Sequence, residues 1–555
     1  MSTETLYSQH SFLFPFKWDI LKGKKFKELN YHERTDIVEL SKIINHDIWE
    51  AKNFDIKKNY NEFEYFYPHI RDALYTDLVN NHIDEKKIDP DKDTISLYFE
   101  HKDFKDGNKK FIIKKSFSEE DKVNGKNKIK FYEIQDHYEL EITSVILRIF
   151  ETGIGVLSFH VENKKYKLIE DVLRINDYGR RLYEPFQGAK GIQTAEEISI
   201  GKFKNTFSGI ENRLKIIEDI LGQPFYYHDE ISYTENSYKD PLKKIQFQQV
   251  LDDRMYTLSW IGNNSFINNL TEFKEKEGNY QYIYSDNWYE YVFVDGNGKT
   301  CNSKIMQKEL IEKSTYDRWI DDGTLYGISR YSFVMATNEE YFAKNILRTH
   351  LDSMYYQMAV LSLVQRASII RFSGEVARIS SLENKKAFIT QEISSIYKNY
   401  IQFINRIYFR EVTAQEQGIE LYSMIIESMN VEREVKDLDN EIQELHNYAT
   451  LIEDKTINDK MNRITVIGIL LAFPSFITGF FGMNIFNDIF TDFSPEKIFS
   501  SPVISKWFGL FILLPILLIV LEEKLSIIEK LKKKINFWAV YIITCIIFLY
   551  LIRRG

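Results

Sequence analysis

Apolar and polar positions follow three different rhythms along this chain. Residues 1–335 carry short alternating runs. ISLYFEH (95–101), KFIIKKS (110–116), YELEITSVILRIF (138–150) and GIGVLSFHVEN (153–163) predict strands, as do MYTLSWIG (255–262), YQYIYS (280–285) and YEYVFV (289–294). KLIEDVLRIN (167–176) and ENRLKIIEDILG (211–222) repeat at helical spacing instead. This part therefore reads as a mixed α/β domain. Residues 336–412 read as its helical portion, with helices over about Asn338 to Arg371 and Ser381 to Tyr408.

The second rhythm starts at Val431. Val431, Val435, Leu438, Ile442, Leu445, Ala449 and Ile452 are spaced 4-3-4-3, and Glu434, Lys436, Asp437 and Glu441 fill other faces. That is a heptad seam. No proline falls between Thr413 and Phe473. The spacing predicts one helix from about Gln415 to Asn484, which at 1.5 Å per residue reaches on the order of 100 Å. Two readings stay open: an internal coiled-coil hairpin, or a stalk, residues 413–463, that carries motion into a bilayer.

The third rhythm is uniform apolarity at one end. ITVIGILLAFPSFITGFFGMNI (464–485) has no charge, and about 20 such residues span a bilayer as a helix. A second span is predicted over 507–523, and a third, spanning or interfacial and anchored by Trp538, over 535–552. Lys460 and Arg463 precede the first run, while Lys524, Lys530, Lys532, Lys533 and Lys534 lie in the linker 524–534. Basic short loops stay cytoplasmic, so the outer loop 486–506, which carries Asp488, Asp492, Glu496, Lys497 and Lys506, is expected to face outside. The stretch Met1 to Lys17 lacks a basic region followed by an apolar one, so the large N-terminal part is expected in the cytoplasm beneath an inner membrane.

Composition narrows the function. At 555 residues and 44% hydrophobic the chain needs more than one core. A net charge of -9 without a basic tail argues against direct DNA or RNA binding. Of the two cysteines, Cys301 and Cys545, the latter sits in an apolar run, so no structural disulfide is expected. Catalytic motifs are missing. Gly298-Lys299-Thr300 ends like a phosphate-binding loop, but Phe293 stands where its first glycine belongs. Asp295-Gly296-Asn297-Gly298 reads better as a hairpin turn between strands. The eleven histidines form no HExxH pair and the cysteines no zinc spacing. The chain is not expected to be an enzyme or to require a cofactor, and a membrane-anchored nucleotide-processing enzyme is the least favoured reading.

SFITGFFGMN (475–484) closes the first apolar run on Gly482, Met483 and Asn484, with a long charged helix before it and a second span after it. In that setting the chain resembles the CorA family of divalent-cation channels, over roughly Gln415 to Leu521. The resemblance implies a funnel-shaped homo-oligomer, a pentamer, whose first spans line a pore. Gly482, Met483 and Asn484 would form the selectivity filter, with Asn484 amides as the metal-facing oxygens. Neutral oxygens suit hydrated Mg2+, which dehydrates reluctantly. Met461 and Ile464 match the family's hydrophobic constriction, and Gly468, Ala472 and Ser475 continue the pore face. Ala472 and Gly468 are small, which widens such a pore. The family's cytoplasmic acidic pair is not found, and Ser423 stands about where one of its aspartates would fall.

The domain before the stalk is larger than a magnesium-homeostasis channel needs. In this the chain looks like the CorA-like effectors of type III CRISPR systems, which a nucleotide second messenger such as adenylylated S-adenosylmethionine (SAM-AMP) activates for antiviral defence. That resemblance leans on GIGVLSFHVEN, on the Gly179-Arg180-Arg181 step and on WIDDGTLYGISRYSFV (319–334). Guanidinium groups suit phosphates and aromatic faces suit a base. Arg180, Arg181, Trp319, Tyr326 and Arg330 are thus the candidate ligand residues, with surface salt bridges and core aromatics as the plainer alternative. A housekeeping Mg2+/Co2+ transporter is the competing function.

Overall fold

The computed structural model describes residues 6–21, 29–52, 57–80, 94–105, 107–116, 137–183, 194–206, 214–228, 242, 244–252, 254–296, 298–381 and 386–482. The chain divides into two compact units, Met1–Ala449 and Thr450–Gly555. The sequence-predicted filter residues Met483 and Asn484, the outer loop, the second and third spans, the basic linker and Cys545 lie outside the described residues.

The first unit is built on a sheet whose strands are β1 (Ser8–Ile20), β2 (Trp49–Ala51), β3 (Ser96–His101), β4 (Lys110–Lys114), β5 (His137–Phe150), β6 (Ile154–Asn163), β7 (Glu197–Ile200), β8 (Phe203–Thr206), β9 (Phe225–Tyr227), β10 (Ile245–Gln249) and β11 (Tyr256–Gly262). A small separate hairpin follows, β12 (Phe273–Lys274) with β13 (Asn279–Tyr280), and then β14 (Thr315–Tyr316), β15 (Thr324–Ile328) and β16 (Ser332–Thr337) rejoin the sheet. The main path runs β14-β15-β16-β11-β1-β6-β5-β4-β7-β8. Its pairs are antiparallel except β11 with β16, and off this path β9 runs parallel to β10.

Strand β1, which the apolar pattern did not announce, is the axis. One edge pairs with β6 from Ser8 to Lys17. The other edge is shared: Ser8 to Leu13 pair with β11, and Phe16 to Ile20 pair with β10. Pro15 lies in the gap between those two partners, and proline has no N–H to give a ladder. The strand is buried on both faces, which hides its alternation. Phe12, Phe14, Phe16, Trp18 and Ile20 join the main apolar core with Ile175, Tyr178, Ile217 and Phe247. The opposite face of the strand meets the helix Met354–Ser380, the cross-sheet helix.

A charged residue of that strand sets where the helix sits. Asp19 of β1 accepts from Arg34 at 2.9 Å and from Arg371 at 2.7 Å. Glu375 accepts from Arg34 at 2.9 Å and from Arg378 at 2.8 Å, and Arg378 bonds Glu392 of the next helix at 2.5 Å. Arg371 also donates to the carbonyls of Trp18 (2.9 Å) and Gly153 (2.7 Å). Gly153 turns β5 into β6 at φ +75°, and a Cβ there would lie 2.6 Å from the Arg371 guanidinium. Three carboxylates thus meet three guanidiniums in a nearly dry site, with the Tyr31 ring beside Arg34 and Arg371 at 5.5 and 5.1 Å.

Five sequence expectations are corrected. YQYIYS is strand only at Tyr280 and then a 3-10 turn, Gln281–Tyr284. YEYVFV belongs to a helix, Asp286–Phe293, because Ser285 caps it by accepting from the Trp288 N–H, and Trp288, Tyr291 and Val292 bury one helical face. The hairpin expected at Asp295 to Gly298 is therefore a helix exit: Val294 takes φ +56° and the Asp295 carboxylate accepts from the Thr300 N–H and hydroxyl. The single helix expected from Gln415 is two, a linker helix Glu416–Ser428 and an arm Val431–Gly482, broken at Asn430 with φ +57°. The helix expected over Asn338 to Arg371 is likewise divided, at Ser353, before the cross-sheet helix begins.

The heptad seam is filled from within the chain. Val431, Val435, Leu438, Ile442, Leu445 and Ala449 are buried. The hairpin helix Lys386–Arg406 meets this stretch, stacking Tyr397 on His446 at 4.5 Å and donating from Tyr400 to Asp439 at 3.1 Å, and the Ser373 hydroxyl of the cross-sheet helix donates to Glu441 at 3.3 Å. Among the described residues no helix is long and apolar enough to cross a membrane. The uncharged run 464–485 begins inside the arm and passes beyond the described residues after Gly482.

Removing one partner from a buried ion network strands the others, at a cost of about 3–5 kcal/mol. Glu375→Ala should lower the unfolding free energy of the full chain by that amount in a urea titration, and a loss under about 1 kcal/mol would show that the network is replaceable. Burial opposes ionisation of Glu375, but Arg34, Arg378 and Arg371 outweigh it and hold the carboxyl at about 2. The folded value is depressed, so this stabilisation is complete above the ordinary value of 4.5 and is lost as pH falls toward about 2. Glu375→Gln should flatten that acid limb.

Candidate functional site

The candidate ligand residues separate into two places. Arg180 caps the C-terminus of the helix Ile169–Gly179, where a cation is favoured. It is not on an open loop: its side chain is 1% exposed. Nη2 donates to the Val294 carbonyl at 2.8 Å and reaches Asp177 at 3.4 Å. Nε and Nη1 are buried with no hydrogen-bond partner among the described residues. Arg181 bridges to Arg254 through the backbone, and the Met255 N–H donates to the Arg180 carbonyl at 2.8 Å.

Tyr331 sits beside this pair of segments. Its ring lies 4.9 Å from the Arg254 guanidinium and 5.9 Å from that of Arg180. The β15–β16 turn that presents Arg330 and Tyr331 is held by Ser329 and Ser332, whose hydroxyls donate to the Val292 carbonyl at 2.8 and 2.5 Å. Arg366 of the cross-sheet helix completes the group, and its Nε has no partner among the described residues. Burial lowers the proton affinity of Arg366, with Arg330 adding to the effect. Burial does the same to Arg180; Asp177 and Asp295 oppose it, and Arg181 and Arg254 reinforce it. Five arginines are thus gathered here with Asp177, Asp252 and Glu434 as their carboxylate partners.

Trp319 and Tyr326 go elsewhere. Trp319 Nε1 donates to Gln417 at 3.2 Å, and Gln417 Nε2 donates to the Tyr326 hydroxyl at 3.1 Å and that of Tyr355 at 3.0 Å. Arg318 forks onto Glu416 and Glu420 at 2.9 Å. These residues dock the linker helix on β15, and Tyr326 is wholly buried there. Arg330 alone of the three candidates in 319–334 joins Arg180 and Arg181, and it meets Glu434 in the first turn of the arm at 3.7 Å.

The arm supplies the other candidate set. Met461 and Ile464 are 57% and 62% exposed, and Gly468, Ala472 and Ser475 are exposed as well. Their spacing of 3, 4, 4 and 3 places all five on one helical face. Gly482 is the last described residue of the arm. Among the described residues no cluster of His, Cys, Asp or Glu is arranged to hold a metal ion.

A family model described as CorA-like Mg2+ transporter protein matches residues 366–521. No curated protein and no solved structure matches the chain. The matched stretch is similar to a family of homo-oligomeric membrane transporters of divalent cations, which are not enzymes. It starts at Arg366, inside the cross-sheet helix, so it reaches further back than the sequence resemblance from Gln415. It takes in the hairpin helix, the linker helix and the arm.

Arg254, Tyr331 and Arg366, which the fold brings to the candidates Arg180 and Arg330, were not named as candidates from the sequence. Tyr331 is one residue from a named candidate. Arg254 and Arg366 are far from Arg180 along the chain, and no local spacing marks them. Asn430 was missed too, because an asparagine in a charged helical stretch looks ordinary until its φ is known. A β-branched residue is penalised in the left-handed region by about 1–2 kcal/mol, whereas glycine is not. Asn430→Val should therefore lower thermal stability and Asn430→Gly should not. Equal melting temperatures for the two variants would mean that the joint can reform at another residue.

Proposed function

We propose that the chain assembles as a ring of subunits, most simply five, whose arms line a divalent-cation pore in the cytoplasmic membrane. In this reading a nucleotide second messenger such as SAM-AMP, produced by a type III CRISPR system, opens the pore from the α/β domain as an antiviral response. The observation that carries it is the start of the family match. Arg366 lies in the helix that the sheet grips through Asp19 and Arg371, so the transporter-like stretch begins inside the core of the α/β unit. A change in that core has a direct covalent route to the arm.

Two further observations support the pore. Met461 and Ile464 are exposed in the single chain, on the face where a constriction that closes by dewetting needs apolar side chains. The described part of the arm reaches Gly482, and in this reading a ring of Asn484 amides, two residues further along the sequence, would offer neutral oxygens to a hydrated ion. The family description, which names Mg2+ transport, favours one alternative, a housekeeping Mg2+/Co2+ transporter.

The protein in mild detergent should be a cyclic oligomer by mass photometry, and a monomer under those conditions would end the pore reading. In liposomes, Asn484→Ala should abolish or broaden divalent-ion flux without lowering the yield of oligomer. Unchanged selectivity would make Asn484 a packing residue. If adenine nucleotides leave wild-type flux unaltered and millimolar magnesium alone closes it, the transporter function replaces the defence function.

A further inference from the structure

We propose that the arginine group around Tyr331 is the receiving site for a phosphate-bearing ligand with a flat ring, and that the ligand competes with Glu434 for Arg330. This rests on the ligand-gated reading above and adds to it the site and the way the site is read by the joint before the arm.

Three buried guanidinium nitrogens carry the first half: Nε and Nη1 of Arg180 and Nε of Arg366 have no acceptor among the described residues. Buried guanidinium donors are ordinarily satisfied, and an unsatisfied set calls for a specific cause. The set belongs to a group of five guanidiniums drawn from separate parts of the fold, in which three carboxylates, Asp177, Asp252 and Glu434, make ion pairs. Asp295 stands near Arg180, and burial raises its affinity for a proton, with the Thr300 hydrogen bonds opposing. A phosphoryl group brings several acceptor oxygens that match the guanidinium fork. Tyr331, 36% exposed, offers a ring face beside them for stacking.

The second half follows from the turn between β15 and β16. Arg330 pairs with Glu434 across 3.7 Å, too long for a hydrogen bond and dependent on charge alone. The Ser428 hydroxyl reaches the Ser329 carbonyl at 3.4 Å. One turn therefore touches the last residue of the linker helix and the first turn of the arm, on either side of the left-handed Asn430. An anion that draws Arg330 to itself releases Glu434. By linkage, loss of Glu434 must then favour the anion by the same factor.

ADP and inorganic pyrophosphate are the probes, titrated calorimetrically into the detergent-solubilised full chain with magnesium chelated. ADP should bind more tightly than pyrophosphate, because only ADP has a ring for Tyr331. Arg254→Gln should weaken ADP binding about tenfold or more, as the loss of one charge-assisted contact does. Glu434→Gln should bind ADP severalfold more tightly than wild type, which a merely structural glutamate would not produce. Both side chains are partly exposed, and matching melting temperatures will show that the variants fold. Absence of ADP binding to wild type at millimolar concentration, or wild-type affinity in Arg254→Gln, overturns the site. Unchanged affinity in Glu434→Gln overturns the competition. Ion flux plays no part in these readings, so a failed pore and a failed site give different results.

Discussion

Asp19 is a carboxylate in the middle of a sheet, and the placement of the first unit depends on how that charge is met. A lone buried carboxylate is too costly to keep, so guanidiniums must reach it. Arg34 comes from the short helix after β1, and Arg371 comes from the cross-sheet helix. Each brings a fixed fork of donors, and other donors of the two forks go to Glu375 and to the Trp18 and Gly153 carbonyls. The ion network allows one register, because any shift leaves charges unpaired in a dry site.

That register has consequences beyond the core. The cross-sheet helix holds Arg371 and Glu375 against β1 and, one turn or so earlier, places Arg366 beside the arginine group at Tyr331. The same helix opens the stretch that matches the transporter family. The linker helix is docked on β15 through Gln417, Glu416 and Glu420, and its end meets the β15–β16 turn. Sheet, arginine group and joint are thus one connected assembly within the first unit, and the arm leaves from it at Asn430.

Strands β3 to β6 were legible because each keeps a run of β-branched and aromatic residues. The helix Asp286–Phe293 was not, since Tyr, Val and Phe in succession fit a strand as well as a buried helix. Ser285 and the left-handed exit at Val294 decided it. The heptad seam was legible as a seam, yet its partner was not: spacing says that a face must be covered, and the fold buries it as far as Ala449 and brings the hairpin helix 386–406 to Asp439 and His446. In the candidate site, Arg180, Arg181 and Arg330 were found as arginines near glycine or turn residues. Trp319 and Tyr326 looked equivalent to them in sequence, but their polar atoms are used by Gln417.

Residue order alone set the succession of textures: alternating runs, then a heptad face, then uncharged apolar segments, the first of them closing on Gly482, Met483 and Asn484. Those are local properties, set by periodicity and by the length needed to span a bilayer. Which polar residues meet was set by the folded chain. Arg254 and Arg366 reach the neighbourhood of Arg180 and Tyr331 because β11 pairs with β1 and because the Asp19 network fixes the cross-sheet helix. Such meetings depend on long-range pairing and on the balance of buried charge, and neither leaves a mark on the spacing of residues along the chain.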